Sequence, residues 1–290
     1  MSRLKTSLER GDFVVTAEVV PPKGTDISEL LKEIEIYKDC VDAVNITDNQ
    51  SSVMRASGLS VADVLIKNGL EPIFQITTRD RNRIAIQSEI LGASITGVKN
   101  ILCLTGDAID SGDHPQAKPV FDIDSVQLVD IVKKLNSGFD AAGKKLNKST
   151  DIFIGAACFP QAVPIELEIA KTEKKIEAGA QFLQSQAIYR PESFKSFYEK
   201  FKDKKVYLIA GIVVLKSAKM AEYMNANVSG INVPDEIIKE LKTSKNEIEK
   251  GVEIAARLVL ELKKVSHGVH IMTLGKAESV PKILKLAKLI

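Results

Sequence analysis

Eight short apolar runs recur along the chain, each followed by a turn signal and then a helical pattern. They are FVVTAEV (13–19), VDAVNIT (41–47), PIFQIT (72–77), NILCLTG (100–106), IFIGAAC (152–158), FLQSQ (182–186), VYLIAG (206–211) and VHIMTL (269–274). Most are continuously apolar rather than alternating, which is the pattern of parallel strands buried on both faces. The first four runs end at residues 19, 47, 77 and 106, spaced by about 30 residues, the length of one strand–helix unit. Eight such units favour closure into a (β/α)8 TIM barrel over an open doubly wound sheet. The expectation is a single barrel domain over residues 1–290.

The stretches between the runs support this. ISELLKEIEIYK (27–38), SVQLVDIVKKL (125–135), IELEIAKTEKKIEAGA (165–180) and EIEKGVEIAARLVLELKK (247–264) repeat apolar residues at three and four positions, as helices covering a sheet do. The longest irregular region, DAIDSGDHPQAKPVFDID (107–124), follows the fourth run; loops of that length in compact domains are often functional. Forty basic and 38 acidic residues are well mixed and leave a net charge of +2, which gives no concentrated basic face for nucleic acid. No apolar run is long enough to span a membrane, and the N-terminus MSRLKTSLERGDF lacks the apolar core of a signal peptide. Cys40, Cys103 and Cys158 form no CxxC pair, so neither a disulfide framework nor a zinc site is expected. A reduced, cytoplasmic protein is expected.

In barrel enzymes the site lies at the C-terminal ends of the strands. Those ends carry Glu18; Thr47, Asp48 and Asn49; Gln75, Thr77 and Thr78; Asp107; and Gln184 and Gln186. They form a ring of acid, amide and hydroxyl groups at one mouth, whereas the N-terminal ends are flanked by exposed-type charges such as Lys204 and Lys205. Each member also has a plain reading. Glu18 could pair with a lysine or cap backbone N–H groups, Asp107 could stabilise the Gly106 turn, and Thr47 and Thr77 suit strands by packing alone. Gln186 is harder to explain that way, because a buried amide has four hydrogen-bonding sites to satisfy. The two acids predict divided labour: a partly desolvated Glu18 holding a proton as general acid, and an ionised Asp107 stabilising a cation. GxGxxG, GxxxxGK[ST] and HExxH motifs are absent. His114, His267 and His270 make no metal cluster, and one of the two that bracket the last strand is expected to pack structurally.

TAEVVPPKG, VNITDN, QITTRDRNR, LCLTGD, AGAQFLQSQAIY and GVHIMTLGKAE, in this order, resemble methylenetetrahydrofolate reductase from about residue 11 to about residue 288. The resemblance implies a flavin-containing barrel, with FAD or FMN, that interconverts 5,10-methylenetetrahydrofolate and 5-methyltetrahydrofolate. It assigns Glu18 as general acid opening the folate's five-membered ring, and Asp107 as the charge near pterin and flavin that favours the resulting iminium. Gln186 would hydrogen-bond the pterin. Thr47, Gln75, Thr77, Asp107, Ala157, Cys158, Glu168, Lys171 and Lys175 fall on flavin-contacting positions, the lysine at 175 suiting a phosphate. Leu274 and Lys276 match the stretch that closes around cofactor and substrate.

Gln75-Ile76-Thr77 stands where many members have His-Leu-Thr, Cys158-Phe159 where a tyrosine is expected, and Met224 near an expected aromatic. These departures imply that electrons arrive through donor proteins rather than directly from NAD(P)H. TAEVVPPKG and TTRDRNR are most similar to the branch found in acetogenic and related anaerobic bacteria, which implies a small zinc-binding partner subunit and an oligomer or hetero-complex. Two other readings stay open: a flavin barrel of the proline dehydrogenase type oxidising a small amine, and a flavin-binding electron-transfer or assembly subunit.

Overall fold

A computed structural model describes residues 1–228 and 230–290. The β-branched apolar runs form eight parallel strands: β1 (Val14–Val19), β2 (Ala43–Ile46), β3 (Pro72–Thr77), β4 (Asn100–Leu104), β5 (Phe153–Cys158), β6 (Phe182–Ala187), β7 (Tyr207–Val213) and β8 (Gly268–Met272). They pair in sequence order and close through β8 onto β1, giving the expected (β/α)8 barrel. Eleven α-helices are present among the described residues. The first, α1 (Arg3–Arg10), precedes the barrel; α2 (Ser28–Tyr37), α3 (Gly58–Lys67), α4 (Arg83–Thr96), α5 (Ser125–Asn136), α6 (Ile165–Ala178) and α7 (Pro191–Phe201) each follow a strand. The seventh unit carries α8 (Ala218–Asn227), α9 (Asp235–Thr243) and α10 (Glu247–Leu262), and α11 (Ser279–Leu286) closes the ring. No described helix is long and apolar enough to cross a membrane.

Most of the runs read as continuously apolar, yet inside the closed sheet the two-residue period of a strand sorts them into layers. Outward positions such as Val15, Ala17, Val44, Ile46, Phe74, Ile76, Leu208 and Ala210 pack with the helices in one core. Inward positions change character with height. The bottom layer, Val14, Ala43, Ile73, Leu102, Phe153, Phe182 and Ile209, is apolar and is plugged by Leu4 and Leu8 of α1. Phe153 and Phe182 stack there with ring centroids 4.9 Å apart. Gly155 makes the room: a Cβ on it would fall 2.1 Å from the Phe182 ring. One step up, β1, β2, β3, β6 and β8 supply Thr16, Asn45, Gln75, Gln184 and His270, all buried and all polar. The third step reaches the mouth with Glu18 and Thr77.

The N-terminal end of the barrel differs from expectation. Instead of surface charges alone, it holds a buried polar cluster in which Glu71 accepts from Ser2 Oγ at 2.9 Å, from the backbone N–H groups of Arg3 and Leu4, and from Asn100 Nδ2 at 2.8 Å. This carboxylate satisfies the first N–H groups of α1, which a helix cannot pair internally, and so holds the plug in place.

His267 lies just before β8, outside the barrel, where its Nδ1 accepts from the Leu208 N–H at 3.0 Å and its ring meets Tyr207 edge-on at 5.3 Å. Burial pulls its pKa below the ordinary 6.5. The fold therefore prefers the neutral ring, and the unfolded chain takes up a proton first as pH falls. The stability this histidine contributes is present above the unfolded value and is lost as pH drops through the folded one. In His267→Asn, which keeps a side-chain acceptor but does not titrate, urea midpoints measured across this window should fall less steeply with pH than those of the wild type. Equal slopes would remove His267 from the acid sensitivity.

Candidate active site

The mouth of the barrel contains a cavity of about 310 Å³ lined by residues from most strand ends, a size at the low end for small-molecule pockets. Glu18 projects into it from β1, inside the sheet by the same alternation that buries Val14 and Thr16. It is only 7% exposed. Pro21 and Pro22 follow β1, where neither could donate to a sheet ladder, and they carry the chain out of the barrel. The Tyr37 hydroxyl of α2 donates to the Glu18 carbonyl at 3.3 Å, fixing this strand end from outside.

No lysine pairs with Glu18 among the described residues; its Oε2 instead lies 3.8 Å from His270 Nε2. That separation exceeds a hydrogen bond but is well within the range of charge interaction in a buried site. His270 is 1% exposed and sits at the centre of the polar layer. Its Nδ1 is 3.0 Å from Thr16 Oγ and 3.3 Å from Asn45 Nδ2, while Asn45 also donates to Gln184 Oε1 and accepts from Gln75 Nε2, each at 3.2 Å. Asn45 Nδ2 can only donate, so Nδ1 is an acceptor and the neutral ring carries its proton on Nε2. That nitrogen has no hydrogen-bond partner among the described residues, and it faces the Glu18 carboxylate. A buried donor left open costs about 1–3 kcal/mol, so the position is one where a polar ligand atom gains.

Asp107 stands beyond β4 on the cavity wall, exposed, with Oδ2 accepting from the Ser51 N–H at 2.7 Å. It therefore caps the loop after β2 rather than its own Gly106 turn. Thr77 also lines the cavity, and both its N–H and its hydroxyl donate to Asp48 Oδ2, at 2.9 and 3.0 Å. Asp48 is held in turn by Arg81 at 2.8 Å. Gln75, Ala157, Lys171, Lys175 and Gln186 line the same cavity. Gln186 reaches it through a register shift in β6 between Gln184 and Ala187; such bulges re-aim side chains near sites. Lys175, on α6, is 2% exposed and donates to the Ala157 carbonyl at 2.6 Å. Burial pulls its pKa down, opposed by the charge of Glu168.

The remaining expected residues do not line the cavity. Thr47 is buried just past β2, its hydroxyl without a partner among the described residues. Cys158 has the outward parity of β5 and packs among the helices, where burial drives its thiol well above the usual range. Glu168 accepts from the Phe159 N–H at 3.1 Å and from Thr172. Leu274, at a left-handed φ of 51°, lends its carbonyl to Lys216, and Lys276 is exposed near Glu278. Among the described residues no group of three or more His, Cys, Asp or Glu is arranged to hold a metal ion. Sequence reasoning missed His270, Asn45 and Thr16. The available signal was a histidine, an amide and a hydroxyl at positions of matching inward parity in three largely apolar runs.

The comparisons with known proteins fit this geometry. The chain is 25% identical over 313 residues to methylenetetrahydrofolate reductase 2 of Schizosaccharomyces pombe, an alignment covering 96% of this chain and 46% of that protein. It thus spans about half the length of that relative. It is 22% identical to the 5,10-methylenetetrahydrofolate reductase of Pectobacterium carotovorum, covering 93% of this chain and 88% of that one. Among solved structures, a Clostridium thermocellum protein that binds two copies of 5-methyl-5,6,7,8-tetrahydrofolic acid shares the fold with a TM-score of 0.67 at 16% identity, covering 99% and 100% of the two chains. A 2,3-dimethylmalate lyase shares the barrel more distantly, with a TM-score of 0.55 at 13% identity over 99% of this chain and 85% of that one. The family model for methylenetetrahydrofolate reductase matches residues 3–288, and so the chain belongs to the methylenetetrahydrofolate reductase family.

Proposed function

We propose that this chain interconverts 5,10-methylenetetrahydrofolate and 5-methyltetrahydrofolate at the barrel mouth, with a flavin bound there and electrons arriving through a partner protein. The observation that carries the reading is the buried Glu18, facing the cavity with the His270 Nε2 proton behind it. The donors on the cavity wall suit a flavin. The Lys175 ammonium is buried with a carbonyl as its protein hydrogen-bond partner, Lys171 lies on the same wall, and an anionic group beside them would offset the desolvation of the lysine. Thr47, Gln75, Thr77, Asp107, Ala157, Cys158, Glu168, Lys171 and Lys175 are the residues assigned to holding it, either at the wall or just behind it. A bound flavin would supply the hydride.

The chain's own residues manage charge and orientation. Glu18, protonated, gives its proton to the substrate nitrogen whose C–N bond opens, and His270 stands within charge range to accommodate the carboxylate left behind. Asp107 turns a carboxylate toward the cation that forms. Gln186 offers an amide that both donates and accepts, matching the mixed edge of a pterin. Leu274 and Lys276 form the rim beside β8 that folds over the ligands.

The test begins with the purified chain and whatever co-purifies. Released cofactor is identified after denaturation, and the bound chromophore is then titrated anaerobically with 5-methyltetrahydrofolate, proline and NADH. Bleaching by 5-methyltetrahydrofolate, with slow or no bleaching by NADH until a donor protein is added, supports the reading. Bleaching by proline alone would favour an amine-oxidising barrel. Rapid oxidation of NADH by the single chain would overturn the partner requirement, and a chromophore inert to folate would leave an electron-transfer subunit.

A further inference from the structure

The segment Thr78-Arg79-Asp80-Arg81 leaves β3 at the rim of the mouth and has no part in the chemistry above. Arg79 nevertheless is 1% exposed, among the most deeply buried large side chains of the chain. A guanidinium cannot shed its proton, so a buried one must direct its five N–H donors at fixed acceptors. Nε and Nη2 grip the Asp80 carboxylate at 2.8 and 2.7 Å. Nη2 also donates to the Asn49 carbonyl at 3.1 Å, and Nη1 to Ser52 Oγ at 2.9 Å and to the carbonyl of Asp107 at 3.4 Å. Two of these acceptors lie in the loop after β2 and one in the loop after β4, so the side chain after β3 ties its two neighbours together.

The loop after β2 needs such a tie. Asn49, Ser51 and Ser52 all have left-handed φ angles, 46°, 55° and 56°, a region that L-residues enter only when surrounding contacts hold them there. Ser51 aims its N–H at Asp107 Oδ2 from this strained turn, and Ser52 Oγ lies 2.7 Å from the Ala108 carbonyl. There is no slack between the parts. Gly106, at φ 97°, lies against Arg79, where an added Cβ would fall 2.9 Å from the arginine Cβ, and a Cβ on Gly112 would fall 1.9 Å from the Ser52 carbonyl oxygen.

We propose that Arg79 is a positioning residue for Asp107: it clamps the loops after β2 and β4 together, so that the Ser51 N–H fixes the direction of the Asp107 carboxylate. The proposal rests on the reading that Asp107 faces the reacting folate. The end of β3 has a separate brace, in which Arg81 holds Asp48 at 2.8 and 3.2 Å and Asp48 accepts from the Thr77 N–H. Loss of Arg79 therefore loosens the clamp without unpairing the strand.

The experiment uses the cofactor-loaded protein, in wild-type form and as Arg79→Ala, Asp107→Asn, the double variant and Arg79→Lys. Two readouts are taken: the rate of flavin bleaching by 5-methyltetrahydrofolate, and amide hydrogen exchange at residues 49–52 and 106–112. Each single variant should slow bleaching at least tenfold, and the double variant should be no more than about twofold slower than Asp107→Asn alone, because residues acting as a unit are not additive. Exchange at Ser51 should rise at least tenfold in Arg79→Ala while β3 stays protected. Lysine should not restore either readout, since an ammonium lacks the planar fork. Ser52→Ala removes one acceptor of the clamp and should give the same pattern in smaller degree, which keeps the test open if Arg79→Ala does not fold. Multiplying losses in the double variant, or unchanged Ser51 exchange, would overturn the proposal. Wild-type protein unresponsive to the folate would instead overturn the folate reading, and the exchange data would then decide the clamp alone.

Discussion

Replacing Glu18 with glutamine should leave a folded protein that still binds its ligands but turns over folate about 10²–10⁴-fold more slowly, the range contributed by a positioned general acid. Glutamine has nearly the same shape and can still donate an N–H, so the packing of β1 against the β2 and β8 registers at Asn45 and His270 is preserved. What it cannot do is transfer a proton to a leaving nitrogen. The site also predicts which step suffers. Glu18 lines the cavity beside His270 and Gln186, so the folate half-reaction should slow while reduction of the bound cofactor by its donor is unchanged. Stopped-flow traces of the two half-reactions separate these, and the thermal midpoint serves as a control because no described residue depends on the Glu18 carboxylate for a structural hydrogen bond. Unchanged folate turnover would remove Glu18 from the mechanism. Equal slowing of both half-reactions would point to a displaced cofactor rather than a lost proton. His270→Asn is an informative companion. It keeps a donor in the polar layer but removes the group that faces the carboxylate at 3.8 Å, so a turnover loss there without loss of binding would show that the pair acts together.

The barrel was legible because its signal is one of repetition: eight apolar runs at the spacing of strand–helix units leave few topologies open. The ring at the mouth was legible for a related reason, since parity and position along a strand fix where Glu18 and Thr77 must point, whereas Gln186 reaches the mouth through the irregularity in β6. What the runs concealed was the middle of the barrel. Thr16, Asn45 and His270 sit inside segments that read as buried strand, away from the strand ends where a site is expected, and parity alone does not show that closure brings the three together at the barrel axis. The Arg79 clamp was hidden differently. In the sequence TTRDRNR stands out only as a motif of the resemblance, and only the folded loops reveal that one guanidinium is 1% exposed while its neighbour Arg83 remains on the surface with Asp122. Cys158 illustrates the converse. A place in a matching motif gives no orientation, and its outward parity directs the thiol to the helices while Ala157 beside it lines the cavity. The Glu71 cluster was illegible because its partners, Ser2 and Asn100, lie 69 and 29 residues away in the chain.

That cluster carries the largest expected effect on stability. Glu71→Ala should destabilise the protein by about 3–5 kcal/mol, the range for breaking a buried charge network so that its partners are left unpaired. The carboxylate is 8% exposed and accepts from Ser2 Oγ, two backbone N–H groups of α1, Arg3 Nε at 3.2 Å and Asn100 Nδ2. Alanine leaves the two backbone N–H groups and Arg3 Nε without an acceptor, leaves Ser2 Oγ and Asn100 Nδ2 with only their second acceptors, Asn100 Oδ1 and the Pro72 carbonyl, and adds a cavity beneath β3. The loss should not be spread evenly. Without its cap α1 should detach first and expose Leu4 and Leu8, which are 0% and 2% exposed in the plug, and the Phe153–Phe182 layer above them would then meet water. Glu71→Gln keeps one acceptor oxygen and should cost less, about 1–2 kcal/mol. Urea unfolding gives the totals, and proteolysis at low denaturant should cut Glu71→Ala within residues 1–12 before the barrel opens. The polar layer that orients His270 rests directly on this apolar floor, so activity in Glu71→Ala should fall in step with the detached fraction of α1 rather than with global unfolding. A wild-type midpoint in Glu71→Ala would mean that the plug is held by Leu4 and Leu8 alone, and the electrostatic cap would then be redundant.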